Sequence, residues 1–213
     1  MNKTVELVNE WALFEEKHPG ASIDDFCRHY LASHQQQKIT GPLTGGVVPP
    51  TSEGLLLKMI GRIHKLNMNY AGRALEGTGL NQVEEFGILL TVQQEGNPRK
   101  TDIIYANLFE LSSGTDMLNR LKTRGLIKEY DDEEDKRSKR IELTAAGAKA
   151  IDLCMLQMRK VAGMMTMELD EDDKQLCISL LKNIEIKFSA LWQQHRGKPF
   201  EEVYTDMVAD KKV

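Results

Sequence analysis

The chain has 213 residues, of which 41% are hydrophobic and 28% are charged, a composition typical of a globular protein rather than a disordered or fibrous one. Lys and Arg number 28 against 32 Asp and Glu, so the net charge of −4 excludes a global basic field, and any face that binds nucleic acid has to be local. No apolar run approaches the ~18 residues of a membrane span, and the acidic, amphipathic N-terminus is unlike a signal peptide. We therefore expect a cytoplasmic protein without a membrane partner.

Residues 1–34 are predicted to form an N-terminal extension of two helices. Apolar residues between Val5 and Phe14 recur at helical spacing, and Pro19 with Gly20 ends that pattern. Ser22 begins the capping pattern Ser-Ile-Asp-Asp, which predicts a second short helix. The two helices can pack on the rest of the protein or cap a ligand cleft, and the sequence favours packing.

Residues 35–51 are predicted to be a linker, because they hold three glycines and three prolines without periodicity. A long amphipathic helix is predicted over residues 52–77. Its apolar stripe at spacings of three and four consists of Leu56, Met59, Ile60, Ile63, Leu66, Tyr70 and Ala74.

Three shorter helices follow in the sequence. Asn81 with Glu84 is predicted to cap the first, and Gly96-Asn97-Pro98 ends it. The predicted caps of the second and third are Thr101 and then Ser112 or Ser113, and Gly125 closes the third.

A β-hairpin is predicted next, because "GLIKEY" and "RSKRIELT" both alternate between apolar and polar residues. Two long helical patterns lie within residues 146–195, and residues 196–213 form a C-terminal tail. Two short helices joined by a tight turn and followed by a hairpin are the elements of a winged helix-turn-helix. The fold class is therefore predicted to be mainly α, with a β-hairpin wing.

The second short helix of such a unit lies in the DNA major groove, and the wing reaches a neighbouring backbone or minor groove. On the helix, the polar face opposite the predicted core residues consists of Ser112, Ser113, Thr115, Asp116, Asn119, Arg120 and Thr123. Their hydroxyl, amide and guanidinium groups can bind base edges or phosphates. The wing adds a compact cationic cluster of Arg137, Lys139 and Arg140.

Five consecutive acids, Asp131 to Asp135, stand directly before these cations and should repel DNA. We predict that Asp135 folds back and orients Arg137 through a charge-assisted hydrogen bond, so that less side-chain entropy is lost on entering a groove. Residues 131–134 are predicted to be mostly solvated.

The hairpin resembles the wing of MarR-type winged-helix regulators. The resemblance rests on the Gly-Leu pair at 125–126, the Asp-x-Arg-Ser at 135–138, and the Leu-Thr at 143–144 followed by Gly147. It covers roughly residues 52–195. It implies a homodimer that binds double-stranded, pseudo-palindromic operator DNA, often as a repressor relieved by a small-molecule effector or by oxidation. It also implies a winged helix at about 81–144 and a helical dimerisation domain from 52–77 and 146–195.

The apolar stripes of the long helices independently suggest a partner surface, because they exceed what one small winged domain needs to cover. The alternative function is a winged-helix dimer that serves as a protein-interaction module without DNA binding, which the acidic wing keeps open.

Other sites are weakly supported. Cys27, His29 and His34 do not share a helical face, so no metal site is expected, and Cys154 and Cys177 are predicted to be packed in helices. The dense methionines between Met155 and Met167 indicate core packing, with an adaptable apolar pocket as the alternative. No catalytic motif and no cofactor site are recognised, so we expect no enzyme.

Overall fold

The computed structural model describes residues 2–35 and 46–209, which confirm a mainly helical fold with one antiparallel hairpin. Residues 36–45, most of the predicted linker, lie outside the described residues. In chain order the elements are α1 Lys3–Lys17, α2 Ile23–Gln35, α3 Ser52–Ala74, α4 Val83–Glu95, α5 Lys100–Ala106, α6 Leu111–Thr123, β1 Ile127–Asp131, β2 Lys139–Leu143, α7 Ala145–Met165, α8 Glu171–His195 and α9 Phe200–Ala209. Helix α9 falls in the segment for which the sequence predicted only a tail.

The chain divides into two compact units, residues 1–56 and residues 57–213. In the first unit, α1 and α2 meet through aromatic rings. Trp11 and Phe26 contact edge to face with centroids 5.2 Å apart, and Phe14 lies 5.6 Å from Phe26. Such contacts add to the burial of apolar area, so the aromatic cluster holds the helix pair together.

The predicted cap of the second helix is confirmed. The Asp25 backbone N–H donates to Ser22 Oγ at 3.2 Å, and the Ser22 backbone N–H donates to Asp25 Oδ2 at 3.0 Å. This reciprocal pair satisfies two backbone donors that would otherwise lack a partner at the start of α2.

The second unit contains a core in which helices α4 to α7 pack around the hairpin. Its fully buried side chains come from every one of these elements, so the core fixes the three short helices and the wing relative to one another. The largest of them are Ile88, Leu89, Ile103, Ile104, Leu118, Leu121, Ile141 and Ile151.

The two strands pair in antiparallel register, with Ile127 opposite Leu143 and Asp131 opposite Lys139. A third segment adds to the other edge of β2, because the Ile141 N–H donates to the Pro98 carbonyl at 3.0 Å. Both edges of β2 are therefore held by backbone contacts, and the base of the hairpin is tied to the residues that precede α5.

Three of the predicted side-chain caps are wrong. The residues that precede α4, α5 and α6 are Gln82, Arg99 and Glu110, and none of them makes a side-chain cap hydrogen bond. The expected caps were Asn81, Thr101 and Ser112 or Ser113. At the start of α4, the buried carboxylate of Glu85 accepts the Asn81 N–H at 2.8 Å instead.

Two helices of the second unit keep apolar faces in solvent in the single chain. Helix α8, which is described along its whole length, has no buried residue. Its exposed apolar side chains are Ile178, Leu180, Leu181, Ile184, Ile186, Phe188 and Trp192. Helix α3 buries Ala71 but exposes Met59, Ile60, Ile63, Leu66 and Tyr70. A contiguous apolar face of this kind marks an interaction surface.

Candidate nucleic-acid interface

Helix α6 has the amphipathic division that the sequence predicts. Met117, Leu118 and Leu121 are buried against the core, together with Gly114, which approaches the side chain of Ile104 closely. On the opposite face, Thr115 is half-buried and the remaining predicted residues are exposed, namely Ser112, Ser113, Asp116, Asn119, Arg120 and Thr123. The helix therefore presents a polar face to solvent.

Parts of this polar face are engaged within the protein. The hydroxyls of Ser113 and Thr123 donate to carbonyls one turn earlier in the same helix, and Arg120 Nη2 donates to Gln82 Oε1 at 3.4 Å. Within residues 2–35 and 46–209, the side chains of Asp116 and Asn119 have no hydrogen-bond partner. The side-chain amide of Asn119 can therefore form a hydrogen bond with a partner molecule without breaking one inside the protein.

Gly125 closes α6 as the sequence predicts, and an ion pair that the sequence did not reveal also fixes this end of the helix. Gly125 has φ 71° and follows the C-cap, and the Leu126 N–H donates back to the Leu121 carbonyl at 3.0 Å. Arg124 Nη1 donates at 2.7 Å to Glu85, whose side chain is 1% exposed, and Nη2 donates to the Gly79 carbonyl. A buried ion pair between α4 and the end of α6 therefore orients the helix.

The wing consists of β1, β2 and the loop 132–138 between them. Arg137 is exposed on this loop, and Lys139 at the start of β2 forms an ion pair with Asp131 on the opposite strand. The Asp131 carboxylate raises the pKa of Lys139, which therefore remains a cation at neutral pH.

The predicted contact between Asp135 and the Arg137 guanidinium is not formed. Asp135 Oδ1 instead accepts the backbone N–H of Arg137 at 3.0 Å, and the Asp135 carbonyl accepts the Ser138 N–H at 2.8 Å. No acid among the described residues forms an ion pair with the Arg137 guanidinium. Asp135 therefore shapes the loop backbone, and the Arg137 side chain projects without an internal partner.

The prediction that residues 131–134 are mostly solvated is wrong for Asp132, which is 1% exposed. Its carboxylate accepts two backbone N–H groups of the loop and the Nε groups of Arg99 and Arg140. The backbone N–H of Glu134 is the main cause that lowers the pKa of Asp132 to about 2, helped by Arg99 and opposed by burial.

Arg140 is less free than the sequence suggested. Its Nε is bound to Asp132 at 2.9 Å and its Nη1 donates to the Asn97 carbonyl at 2.8 Å. Two of its three guanidinium nitrogens therefore bind groups of the protein itself. Arg99, which no sequence pattern singled out, lies in the same cluster because the segment before α5 runs along the edge of β2.

The wing, α5 and α6 enclose a common groove of about 380 Å³. Its polar lining includes Lys100 and Thr101 from the start of α5, Thr115 from α6, and Arg137, Ser138 and Lys139 from the wing, together with Arg99 and the two acids Asp102 and Asp135. Three predicted residues, Thr115, Arg137 and Lys139, are thus brought together. Hydroxyls and cations arranged around one groove match the contacts that proteins make with a phosphate backbone.

Glu129 on β1 is an acidic residue beside Lys100, which lines the groove. It bridges Lys100 and Lys122 at 3.3 Å each. Burial alone would raise the pKa of Glu129, but the two ammonium groups outweigh burial and the pKa is lowered. The carboxylate is therefore ionised and joins α5, α6 and β1.

Other candidate sites find little support in the described parts of the chain. No three His, Cys, Asp or Glu side chains within residues 2–35 and 46–209 are placed to hold a metal ion. Cys154 is fully buried, and burial raises the pKa of its thiol to about 11, whereas Cys177 is exposed rather than packed as expected. Met155 and Met158 pack against the core. None of the helices in the described residues is both long and apolar enough to cross a membrane.

Comparisons with known proteins point to one fold. A family model described as a winged helix DNA-binding domain matches residues 82–147. No curated protein sequence matches the chain. Among solved structures, a mutant of MarR from E. coli complexed with operator DNA is similar at 20% identity and a TM-score of 0.57, covering 61% of this chain and 92% of that one.

Two proteins described with a small molecule are also similar. BpsR from Bordetella bronchiseptica, whose DNA binding is regulated by 6-hydroxynicotinic acid, matches at 16% identity with a TM-score of 0.56 over 61% of this chain and 98% of that one. PcaV from Streptomyces coelicolor, in complex with its natural ligand, matches at 17% identity with a TM-score of 0.53 over 67% of this chain and 97% of that one.

The chain therefore contains a winged-helix domain and has the fold of MarR-type transcriptional regulators, as the wing motif predicted. The matched proteins include a transcriptional regulator, a protein with regulated DNA binding and a protein complexed with operator DNA.

Proposed function

We propose that this protein of MarR-type fold is a homodimeric, sequence-specific DNA-binding transcriptional regulator. The observation that carries the proposal is the groove in which Thr115 of α6 faces Arg137 and Lys139 of the wing. A recognition helix and a cationic wing on one groove can contact base edges and phosphates together. A winged helix without DNA binding would not need its cations gathered there.

Within this proposal, α6 enters the major groove and the wing follows the backbone or the minor groove beside it. Asn119 and Arg120 are the side chains best suited to base edges, because an amide recognises adenine and a guanidinium recognises guanine. Lys100 and Thr101, which the sequence analysis did not select, join Arg137 and Lys139 as contacts to phosphate.

The apolar faces of α3 and α8 support a homodimer. A 25-residue helix without a buried residue is not stabilised by its own chain, and a second copy would cover its apolar side chains. A two-fold dimer presents two α6 helices to successive major grooves, so the half-sites should lie about 10 base pairs apart or near a multiple of that spacing.

We further propose that the regulator is a repressor that a small-molecule effector releases. The support comes from relatives of the same fold, one regulated in its DNA binding by 6-hydroxynicotinic acid and another solved with its natural ligand. Thermal-shift screening of small aromatic acids, followed by gel shifts with any acid that raises the melting temperature, tests this part. Hits that leave DNA affinity unchanged would contradict it.

Selection of duplexes from a random pool tests the central proposal. We expect the selected sequences to share a pseudo-palindrome, and the native mass of the protein to be twice 24.1 kDa. The alternative is an interaction module without DNA binding, which the exposed acids Asp131, Glu133, Glu134 and Asp135 would suit. Failure to retain any duplex at low salt would favour that alternative.

A further inference from the structure

One carboxylate joins three segments where the strands of the wing meet its loop. Asp132 follows β1, and its Oδ1 accepts the backbone N–H groups of Glu134 and Asp135 at 2.9 and 3.3 Å. Its Oδ2 accepts Nε of Arg99 at 3.0 Å and Nε of Arg140 at 2.9 Å. Oδ1 therefore holds the loop of the wing through two backbone amides. Oδ2 holds Arg140 of β2 and Arg99, which is the residue before α5.

The segment before α5 is attached to the wing by further contacts. Arg140 Nη1 donates to the Asn97 carbonyl at 2.8 Å, and the Ile141 N–H donates to the Pro98 carbonyl at 3.0 Å. Helix α5 packs in turn on α6. A continuous series of contacts thus runs from the wing turn through Asp132 and Arg99 to the recognition helix.

We propose that Asp132 is a positioning residue for DNA binding, which fastens the wing to the start of α5 and thereby fixes Arg137 and Lys139 relative to α6. The inference rests on the function proposed above. Among residues 2–35 and 46–209 the Arg137 guanidinium has no partner, so its position depends on the backbone of the wing loop. The Asp132 carboxylate holds that loop through the Glu134 and Asp135 amides.

The chemistry of the site requires a carboxylate. Asp132 serves two donors on each oxygen, and all four are N–H groups. An asparagine would offer one carbonyl oxygen, and its NH₂ group would face two donors. It would also leave the guanidinium groups of Arg99 and Arg140 close together without the negative charge of the carboxylate that now lies between them. The side chains of Arg99 and Arg140 are 38% and 32% exposed, so water can solvate part of their charge, but the buried side chain at position 132 would no longer match the donors around it.

The sign of the effect distinguishes positioning from simple electrostatics. Removal of a negative charge beside DNA should strengthen binding if charge alone acts. If Asp132 positions the wing, its removal should weaken binding in spite of the favourable charge change. Glu133 is the matched control, because it is the next residue, carries the same charge and is exposed.

The experiment measures fluorescence anisotropy of full-length wild type, Asp132→Asn and Glu133→Gln on a duplex selected by the wild type, across a salt series. For Asp132→Asn we expect affinity to fall about 10-fold or more, as for a lost buried charged partner. The slope of log K against log salt should become shallower by about 1, because at least one cation loses its phosphate contact. Glu133→Gln should bind as tightly as the wild type or more tightly, with the same slope.

Hydrogen exchange supplies a readout that needs no DNA. The amides of Glu134 and Asp135 should exchange faster in Asp132→Asn, whereas amides in α4 should keep their protection. Circular dichroism and native mass identify a variant that fails to fold, and in that case Arg99→Lys replaces it. That variant keeps the charge but lacks the Nε group that binds Asp132. Because Arg99 also lines the groove, weaker binding by Arg99→Lys supports positioning only if the Glu134 and Asp135 amides also exchange faster.

Two outcomes overturn the inference, and they are distinguishable. If the wild type binds no duplex, the proposed function is wrong and the positioning role fails with it. If the wild type binds while folded Asp132→Asn, or folded Arg99→Lys in its place, binds as tightly as Glu133→Gln with the same salt slope, only the positioning role of Asp132 is wrong.

Discussion

Substitution of Gly147 by alanine should strongly destabilise the winged helix. Gly147 lies in the first turn of α7, where its N–H donates to Thr144 Oγ1 at 3.0 Å and its α-carbon is packed against the start of the hairpin. A Cβ at this position would overlap the carbonyl oxygen of Leu126 and lie 2.9 Å from Leu143 Cδ1. The obstacle is backbone, which no rotamer change can move aside.

The size of the destabilisation follows from the groups that the added Cβ would displace. The Leu126 carbonyl accepts the Thr144 N–H at 3.1 Å, so displacing it loosens that hydrogen bond; the Thr144 hydroxyl keeps its nearer acceptor, the Gly125 carbonyl at 2.7 Å. Overpacking costs about 1–3 kcal/mol, and each weakened hydrogen bond costs about 1 kcal/mol. The higher helix propensity of alanine relative to glycine offsets about 1 kcal/mol of this cost. The free energy of unfolding should therefore fall by roughly 1–3 kcal/mol.

Gly163 in the same helix is the matched control, because a Cβ there meets nothing within 4 Å. Gly163→Ala should raise the free energy of unfolding by up to about 1 kcal/mol. Urea denaturation followed by circular dichroism measures both variants, at one fixed protein concentration because dimer formation would couple to unfolding. If Gly147→Ala changed the free energy of unfolding by less than about 0.5 kcal/mol, the close approach of α7 to Leu126 would be wrong.

Three further predictions concern the interface and its supports. Alanine at Asn119 or Arg120 should weaken selected sites more than random duplex, by about 1–3 kcal/mol of discrimination in anisotropy titrations, and equal weakening on both would place the side chain on phosphate. Acid titration should show the stabilising contribution of Asp132 fully present above its unfolded pKa of 3.8 and lost as pH falls towards about 2; an Asp132→Asn variant that shows the same acid unfolding profile as the wild type would exclude that contribution. Cys154 should resist thiol reagents in the native state and react after unfolding, as mass spectrometry of labelled peptides would reveal, since its thiol is buried with a pKa of about 11; native labelling of Cys154 would contradict this burial.

Local patterns were enough to predict most elements of the fold. The alternation in residues 125–144 predicted the hairpin, and the apolar stripe that begins at Leu56 predicted the long helix α3. These predictions succeeded because the period of burial is a local property of a helix or strand. The polar face of α6 was predictable for the same reason, since the buried positions of a helix define its exposed face.

Helix starts were less accessible to local reasoning. Thr101 and Ser112 are residue types that commonly cap helices, yet both lie inside the first turn of a helix. Packing of α5 and α6 in the shared core decides where these helices begin, and capping preference is too weak to oppose it. The Glu85–Arg124 pair that orients α6 was also invisible in the sequence, because its members are 39 residues apart.

The sequence by itself determined that a wing exists, that it is an antiparallel hairpin, and that five acids and a group of cations lie at its tip. It could not determine which acid is structural, because five consecutive carboxylates have the same local character. Only the tertiary structure selects Asp132, by bringing Arg99 from 33 residues away to meet Arg140 at one carboxylate. Burial of a charge is favourable only where several donors converge on it, and that convergence is set by the packing of α5 against the hairpin rather than by any neighbour in sequence.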